Sequence, residues 1–392
     1  MKRMRRVRVR LAAREHYEIE IGANALDGIG RTARRTLSPH ARRIALISNA
    51  RVFNLYGAGV VRRLRAEGFD VSHWLMGDGE HHKNLRTAER ALAFFAGSKL
   101  ERTDAVVALG GGVVGDLAGF AAAVYLRGIA FLQAPTTLLA QIDASVGGKT
   151  AVNTREGKNL IGAFHQPRAV VISTETLLTL PPRELTAGWC EAIKQGAVGS
   201  SSLFERTRRF LVAARIAETT SDEKRAERRA DELARLIAAQ CSFKAKIVAD
   251  DEREDVGRTD ALSRRILNFG HTTAHALEAV TRYRRFRHGE AVGYGMLVAA
   301  EISNRLGMLD ASELESLRAC VRLAGRLPRA ADLDERAILR AVASDKKSVG
   351  GRIRWVLLER IGRARIVDGQ EISPRVVRDA LRAALAENST DN

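Results

Sequence analysis

At 392 residues the chain exceeds the roughly 250–300 residues at which one hydrophobic core stops growing, so two domains are expected. Charged residues at 28% and hydrophobic ones at 45% are ordinary for a globular protein and argue against long disorder. The net charge of +18 admits nucleic acid, an anionic surface or a small anionic substrate, but Glu and Asp interleave with the arginines across 223–235 and no basic stripe alternates with aromatics, so a solvated arginine-rich surface is expected and nucleic-acid binding is not.

Residues 1–11 alternate Val7, Val9 and Leu11 with arginines, which reads as a basic edge strand and not as a signal peptide. No run approaches the roughly 20 apolar residues needed to span a bilayer. β-rich runs at 43–48, 69–75, 105–109, 129–134 and 170–173 alternate with helical patterns, the mark of a parallel sheet flanked by helices. From Pro181-Pro182 onward long helical segments dominate, broken near Asp255 and Tyr283, with a hairpin expected at 352–358 and 364–367. The fold class is therefore an α/β N-terminal domain with a Rossmann-like parallel sheet, residues 1–180, followed by a mainly α-helical C-terminal domain, residues 181–392. Cys190, Cys241 and Cys320 are odd in number and unpaired by spacing, which fits a reducing cytoplasm and no thiolate zinc site.

Three groups of residues carry chemistry. Gly110-Gly111-Gly112-Val113-Val114-Gly115 follows an apolar strand and precedes a helical run at 116–127, so backbone N–H groups and a helix N-terminus can meet a phosphate. It is not the Rossmann fingerprint, because it does not open the first βαβ unit and no acidic residue follows about 20 positions on. A tight connection is the plain alternative. Gln141, Asp143, Ser145, Gly147, Gly148, Lys149, Asn153, Lys158 and Asn159 crowd polar groups into apolar sequence, at a cost unless they are paired or bind a ligand. The lysines suit a phosphate or carboxylate; a polar interdomain connection is the alternative. His271 and His275 share one face of an expected helix at 270–280, and His288 follows in His288-Gly289-Glu290. Imidazoles with a carboxylate favour zinc, though spacing alone does not choose the three ligands.

Taken in order, these segments closely resemble the 3-dehydroquinate synthases, within the wider sugar-phosphate cyclases. The resemblance covers about 43–362. Its segments are Gly79-Glu80-His81-His82-Lys83, GGGVVGDLAGF from Gly110, PTTLL from Pro135, QIDASVGGKT from Gln141, GKNLIGAF from Gly157, GWCEAIKQG from Gly188, LNFGHTTAHALE from Leu267 and HGEAV from His288. Ala274 and Cys190 depart from the family's usual Gly and Ala, and 255–263 is longer than usual.

The resemblance implies a metal site at Glu191, His271 and His288, usually for zinc with cobalt possible, while His275 faces substrate. It implies NAD against Asn49, Asp78, Glu80, Lys83, Gly111, Gly112, Val113, Asp116, Thr136, Thr137, Lys149, Lys158, Thr176 and Thr179. Substrate contacts would come from Arg127, Asp143, Lys149, Asn159, Lys244, Arg264, Asn268, His275 and Lys347, with Lys346 the alternative to Lys347 and with Arg265 or Arg258 the alternatives to Arg264. Arg127 would reach a neighbouring subunit's site, implying a homodimer. The expected reaction is conversion of 3-deoxy-D-arabino-heptulosonate 7-phosphate to 3-dehydroquinate and phosphate in the shikimate pathway, in the cytoplasm, with no nucleic-acid or membrane partner. Another sugar-phosphate cyclase, a metal-dependent alcohol dehydrogenase and a nucleic-acid-binding protein with a decayed site are the rival readings.

Overall fold

A computed structural model describes residues 16–217, 223–344 and 353–386 of the chain. Up to residue 173 it carries eight strands: β1 (Glu18–Gly22), β2 (Arg43–Asn49), β3 (Asp70–Met76), β4 (Ala105–Gly110), β5 (Ala130–Pro135), β6 (Lys149–Val152), β7 (Ile161–Phe164) and β8 (Ala169–Ser173). Six form one sheet in the order β1-β8-β5-β4-β2-β3, every pairing parallel. Crossovers use α1 (Ile29–Thr36), the single turn α2 (Ala50–Val52), α3 (Ala58–Ala66), α4 (Leu85–Gly97) and α5 (Gly112–Val124). β4 and β8 are buried at every position, as strands covered on both faces must be, whereas β3 at the sheet edge alternates. Successive residues of a strand face opposite ways, so Ala45 and Ile47 of β2 pack with Ala91, Phe95 and Leu117 while Ile44 and Leu46 pack with Ile29 and Leu64.

The five expected strands fall within one residue of those observed. Three features differ. β1, at Glu18–Gly22, forms the edge of the sheet opposite β3; the edge strand expected at 1–11 lies outside the described residues. The glycine turn belongs to α5 itself, which starts at Gly112 and ends at Val124 instead of running 116–127, because glycine is tolerated where the helix must approach Thr137 and Ala144. The polar stretch 141–159 is ordered as a π-helical turn, Ala140–Ala144, and the antiparallel β6–β7 hairpin.

Beyond Pro181 the chain is mainly helical: α6 (Pro182–Gly199), with Pro182 at a position that lacks a helical partner for its missing N–H, then α7 (Ser201–Ala217), α8 (Glu223–Asp250), α9 (His271–Val280), α10 (His288–Arg305), α11 (Ala311–Ala324), α12 (Glu335–Ser344) and α13 (Pro374–Ala386). The expected hairpin is β9 (Arg354–Arg360) with β10 (Arg363–Asp368). Arginine side chains from Arg228 to Arg235 on α8 are solvated or half-buried, as their charge pattern indicated. α10 is buried nearly throughout because its glycines let other backbones close in. A Cβ on Gly289 would stand 2.0 Å from the Ala187 carbonyl oxygen of α6, and one on Gly295 would stand 1.9 Å from the Gly270 oxygen at the head of α9. These two crossings bring α6, α9 and α10 together at one point.

Candidate functional site

A cleft of about 1620 Å³ lies between the carboxyl ends of the sheet strands and the helices beyond residue 181. Winding reverses direction between β2 and β4, and in open α/β sheets ligands bind at that reversal. Asn49 ends β2 there; Gly110 ends β4, and Gly111 caps α5, whose first turn has N–H groups without helical partners. A Cβ on Gly111 would stand 3.0 Å from the Thr137 methyl, so a larger residue here would press on this wall of the cleft.

All the residues expected around the dinucleotide line this cleft. Asn49 donates to Asp78 at 3.1 Å while accepting from the Val52 N–H at 2.9 Å. Lys83 pairs with Asp116 and donates to Asn159 at 2.6 Å. Burial pushes the Asp116 carboxyl up, against the pull of Lys83; burial also acts upward on Glu80, but Lys83 and Lys158 outweigh it and hold that carboxyl below its usual range. Thr176 accepts from Gln141 at 3.0 Å, and Thr179 bonds the Tyr56 hydroxyl at 2.5 Å.

Further along the cleft stand Asp143, Lys149, Asn159, Lys244, Arg264, Asn268 and His275. The π-helical turn presents Asp143, whose Oδ1 meets Lys244 Nζ at 2.6 Å; Gln195 of α6 braces the turn by donating to the Ile142 oxygen at 3.0 Å. Burial would raise the Asp143 carboxyl, yet Lys244 and Lys194 overcome it and keep it far below the carboxylate range. Lys149 pairs with Glu254, and Asn268 donates to the same carboxylate at 3.2 Å. Arg264 is buried, its guanidinium donating to the Glu252 and Gly147 oxygens at 2.7 and 3.1 Å, so the long 255–263 stretch leaves it at the cleft. Arg265 also lines the cleft, whereas Arg258 is turned to Asp250 and Asp260 outside it. Arg127 does not line the cleft; it is exposed on a turn where it and Leu126 hold positive φ, 69° and 49°. Lys346 and Lys347 lie outside the described residues.

At the cleft floor, His271 of α9 and His288 of α10 line the cleft and the buried Glu191 of α6 lies against them, each offering a ligand atom within 4.8 Å of the others. His275 stays out of this set, its ring 5.6 Å from that of His271 and 6.1 Å from that of His288. Glu191 is fully buried; Lys194 Nζ pairs with Oε2 at 2.5 Å, while Oε1 has no hydrogen bond and faces His288 Nε2 at 3.7 Å. A buried carboxylate oxygen left unbonded is costly unless something else meets it, and the two imidazoles on the Oε1 side make a divalent cation the fitting occupant.

Three contributors escaped the sequence reading. Lys194 lies three residues after Glu191 on one helix face, a spacing that could have flagged it. Glu278 stands three after His275, where it holds His288 and Lys158. Glu254, paired with Lys149 from 105 residues away, gave no local sign.

The sequence pattern described as 3-dehydroquinate synthase N-terminal matches residues 73–187, and that described as 3-dehydroquinate synthase C-terminal matches 188–348. The chain is 44% identical over 370 residues to a 3-dehydroquinate synthase of Pelotomaculum thermopropionicum, covering 93% of this chain and 94% of that one. It is 43% identical over 348 residues to one of Bordetella pertussis, covering 89% and 91%. Among solved structures, 2-epi-5-epi-valiolone synthase from Streptomyces hygroscopicus, with NAD+ and Zn2+ bound, superposes with a TM-score of 0.82 at 25% identity over 96% of this chain and 99% of that one. Glycerol dehydrogenase from Schizosaccharomyces pombe shares the fold alone, with a TM-score of 0.66 at 14% identity over 95% and 90%.

Proposed function

The chain belongs to the 3-dehydroquinate synthase family, and from that premise we propose how its residues divide the work of converting 3-deoxy-D-arabino-heptulosonate 7-phosphate into 3-dehydroquinate and phosphate. The observation that carries the reading is the convergence of the buried Glu191 with His271 and His288, which line the same cleft as the α5 glycine turn. When bound, NAD supplies a hydride acceptor that later returns the hydride, and a divalent cation supplies Lewis acidity toward the alcohol being oxidised.

The rest falls to the chain. Residues 1–180 form the dinucleotide-binding unit, with Asn49, Asp78, Glu80, Lys83, Asp116, Lys158 and the Gly111–Val113 turn on the cofactor and Thr136, Thr137, Thr176 and Thr179 along the same wall. Residues 181–392 carry the metal ligands and much of the substrate site. Lys149, Asn159 and Lys347 suit a substrate phosphate, and Arg264 with Lys244 suits a carboxylate, since a guanidinium forks onto such groups. Lys149 and Asn159 enter from the other unit, so substrate is gripped from both sides and its reacting carbons are oriented and desolvated, which is much of what the elimination and ring closure require. His275 faces substrate. The exposed Arg127, on a turn with two positive φ values and beside exposed Val124 and Leu126, is suited to enter a partner subunit's cleft in a homodimer. Three free, buried cysteines fit the cytoplasm.

The deciding experiment supplies the sugar-acid phosphate with trace NAD. Phosphate release with a flat NADH absorbance and identified 3-dehydroquinate is the expected result. Stoichiometric NADH would instead identify a dehydrogenase of the same fold, and no turnover of this substrate alongside turnover of another sugar phosphate would identify a different cyclase.

A further inference from the structure

Glu278 is 2% exposed near the end of α9, a position where a carboxylate is costly to bury unless both oxygens are met. Both are. Oε2 faces His288 Nδ1 at 3.3 Å, and Oε1 accepts from Lys158 Nζ at 2.8 Å. The other ring nitrogen of His288, Nε2, stands 3.7 Å from Glu191 and so points into the ligand set. A carboxylate on Nδ1 fixes the tautomer that leaves the Nε2 lone pair free for a cation and fixes the ring plane as well. Lys158 comes from the other unit, on the loop between β6 and β7; its ammonium lies over the Tyr283 ring at 4.5 Å, and Glu278 is the carboxylate in ion-pair contact with it. One side chain thus touches a proposed metal ligand and a proposed cofactor lysine from opposite walls of the cleft.

We propose that Glu278 is a positioning residue for both halves of the site, aiming His288 at the metal and anchoring Lys158 beside the dinucleotide. The proposal rests on the metal and dinucleotide assignments above. A carboxylate that served only to satisfy a buried neighbour would influence one of these or neither.

The test uses the full chain and reads binding, with no need for turnover. Zinc affinity is measured by competition with a chromophoric chelator, and NAD affinity by titration of the metal-free protein. Glu278→Gln should weaken zinc roughly 10–100-fold, the usual cost of losing a ligand's carboxylate partner, and weaken NAD by roughly 3–10-fold through release of Lys158. Lys158→Met leaves the Glu278–His288 contact in place and should weaken NAD while moving zinc far less than Glu278→Gln does, and His271→Ala should lose zinc and keep NAD, so Glu278 alone moves both strongly. Should Glu278→Gln fail to fold, Glu278→Asp reads the same property, because a side chain one methylene shorter cannot hold both contacts and at least one affinity must fall. Both affinities unchanged in a folded Glu278 variant, or a fall in NAD or zinc alone for Glu278→Gln, overturns the proposal. If wild type takes up no zinc, or His271→Ala keeps it, the ligand assignment falls first and the proposal with it.

Discussion

Lys149 shows how one side chain balances opposing fields. Burial pushes its ammonium below the ordinary lysine range, and the Glu254 carboxylate beside it restores only part of the shift. An anion-binding ammonium must be protonated, so kcat/KM should decline as pH rises, from a pH below the usual lysine value of about 10.4. Lys149→Arg keeps the charge at all accessible pH and should remove that basic limb at a lower maximum rate; a pH–rate profile decides, and an unchanged limb in the variant would clear Lys149 of the titration. At this scale the sequence was informative about residue type and poor about partners. The His271, His275 and His288 triplet was visible as a metal candidate, but which two imidazoles join Glu191 depends on the crossing of three helices, and the family resemblance, not spacing, supplied it. Arg264 became readable only once its loop was folded, since nine residues separate it from Glu254 and no periodicity crosses that turn-rich stretch.

Elements were easier to read wherever hydrophobic periodicity had no competitor. Five of the six strands of the parallel sheet and the helices from Pro182 were legible because continuous apolar runs and 3.6-residue patterns each dominate their windows. The β6–β7 hairpin was not, because its strands are only four residues each and sit among glycines, lysines and asparagines that carry little strand propensity. The start of α5 was misplaced for a related reason, since three consecutive glycines read as a loop although the last one begins the helix. Glycine also governs the meeting of α9 and α10. A methyl group at Gly295 would strike the Gly270 oxygen, and Gly270 holds φ 79° immediately before His271. Gly295→Ala should therefore cost roughly 1–3 kcal/mol by overpacking and also weaken metal binding, as α9 is levered away from α6. Thermal unfolding and zinc titration of the same sample check both, and a large drop in melting temperature with unchanged zinc affinity would show the two helices move together.

The whole molecule raises the question of subunits. If Arg127 completes a neighbour's site, Arg127→Ala and Lys149→Ala are each inactive as pure dimers, but a co-expressed mixture forms hybrids with one intact site. With random pairing, activity should return to about a quarter of wild type; no recovery in a mixture shown to contain hybrids would mean that Arg127 acts within its own chain or not at all. The sheet order has another outcome, felt during synthesis. β1 pairs with β8, and Ser173 reaches back to Ala23 across 150 residues, so the first strand of the sheet has no neighbour until most of its domain has left the ribosome. At roughly 5–20 residues per second that delay is roughly ten to thirty seconds. During it, Glu18 and Glu20 alternate with Ile19 and Ile21, so the waiting strand carries charge beside each apolar side chain and makes a poor template for strands of other nascent chains.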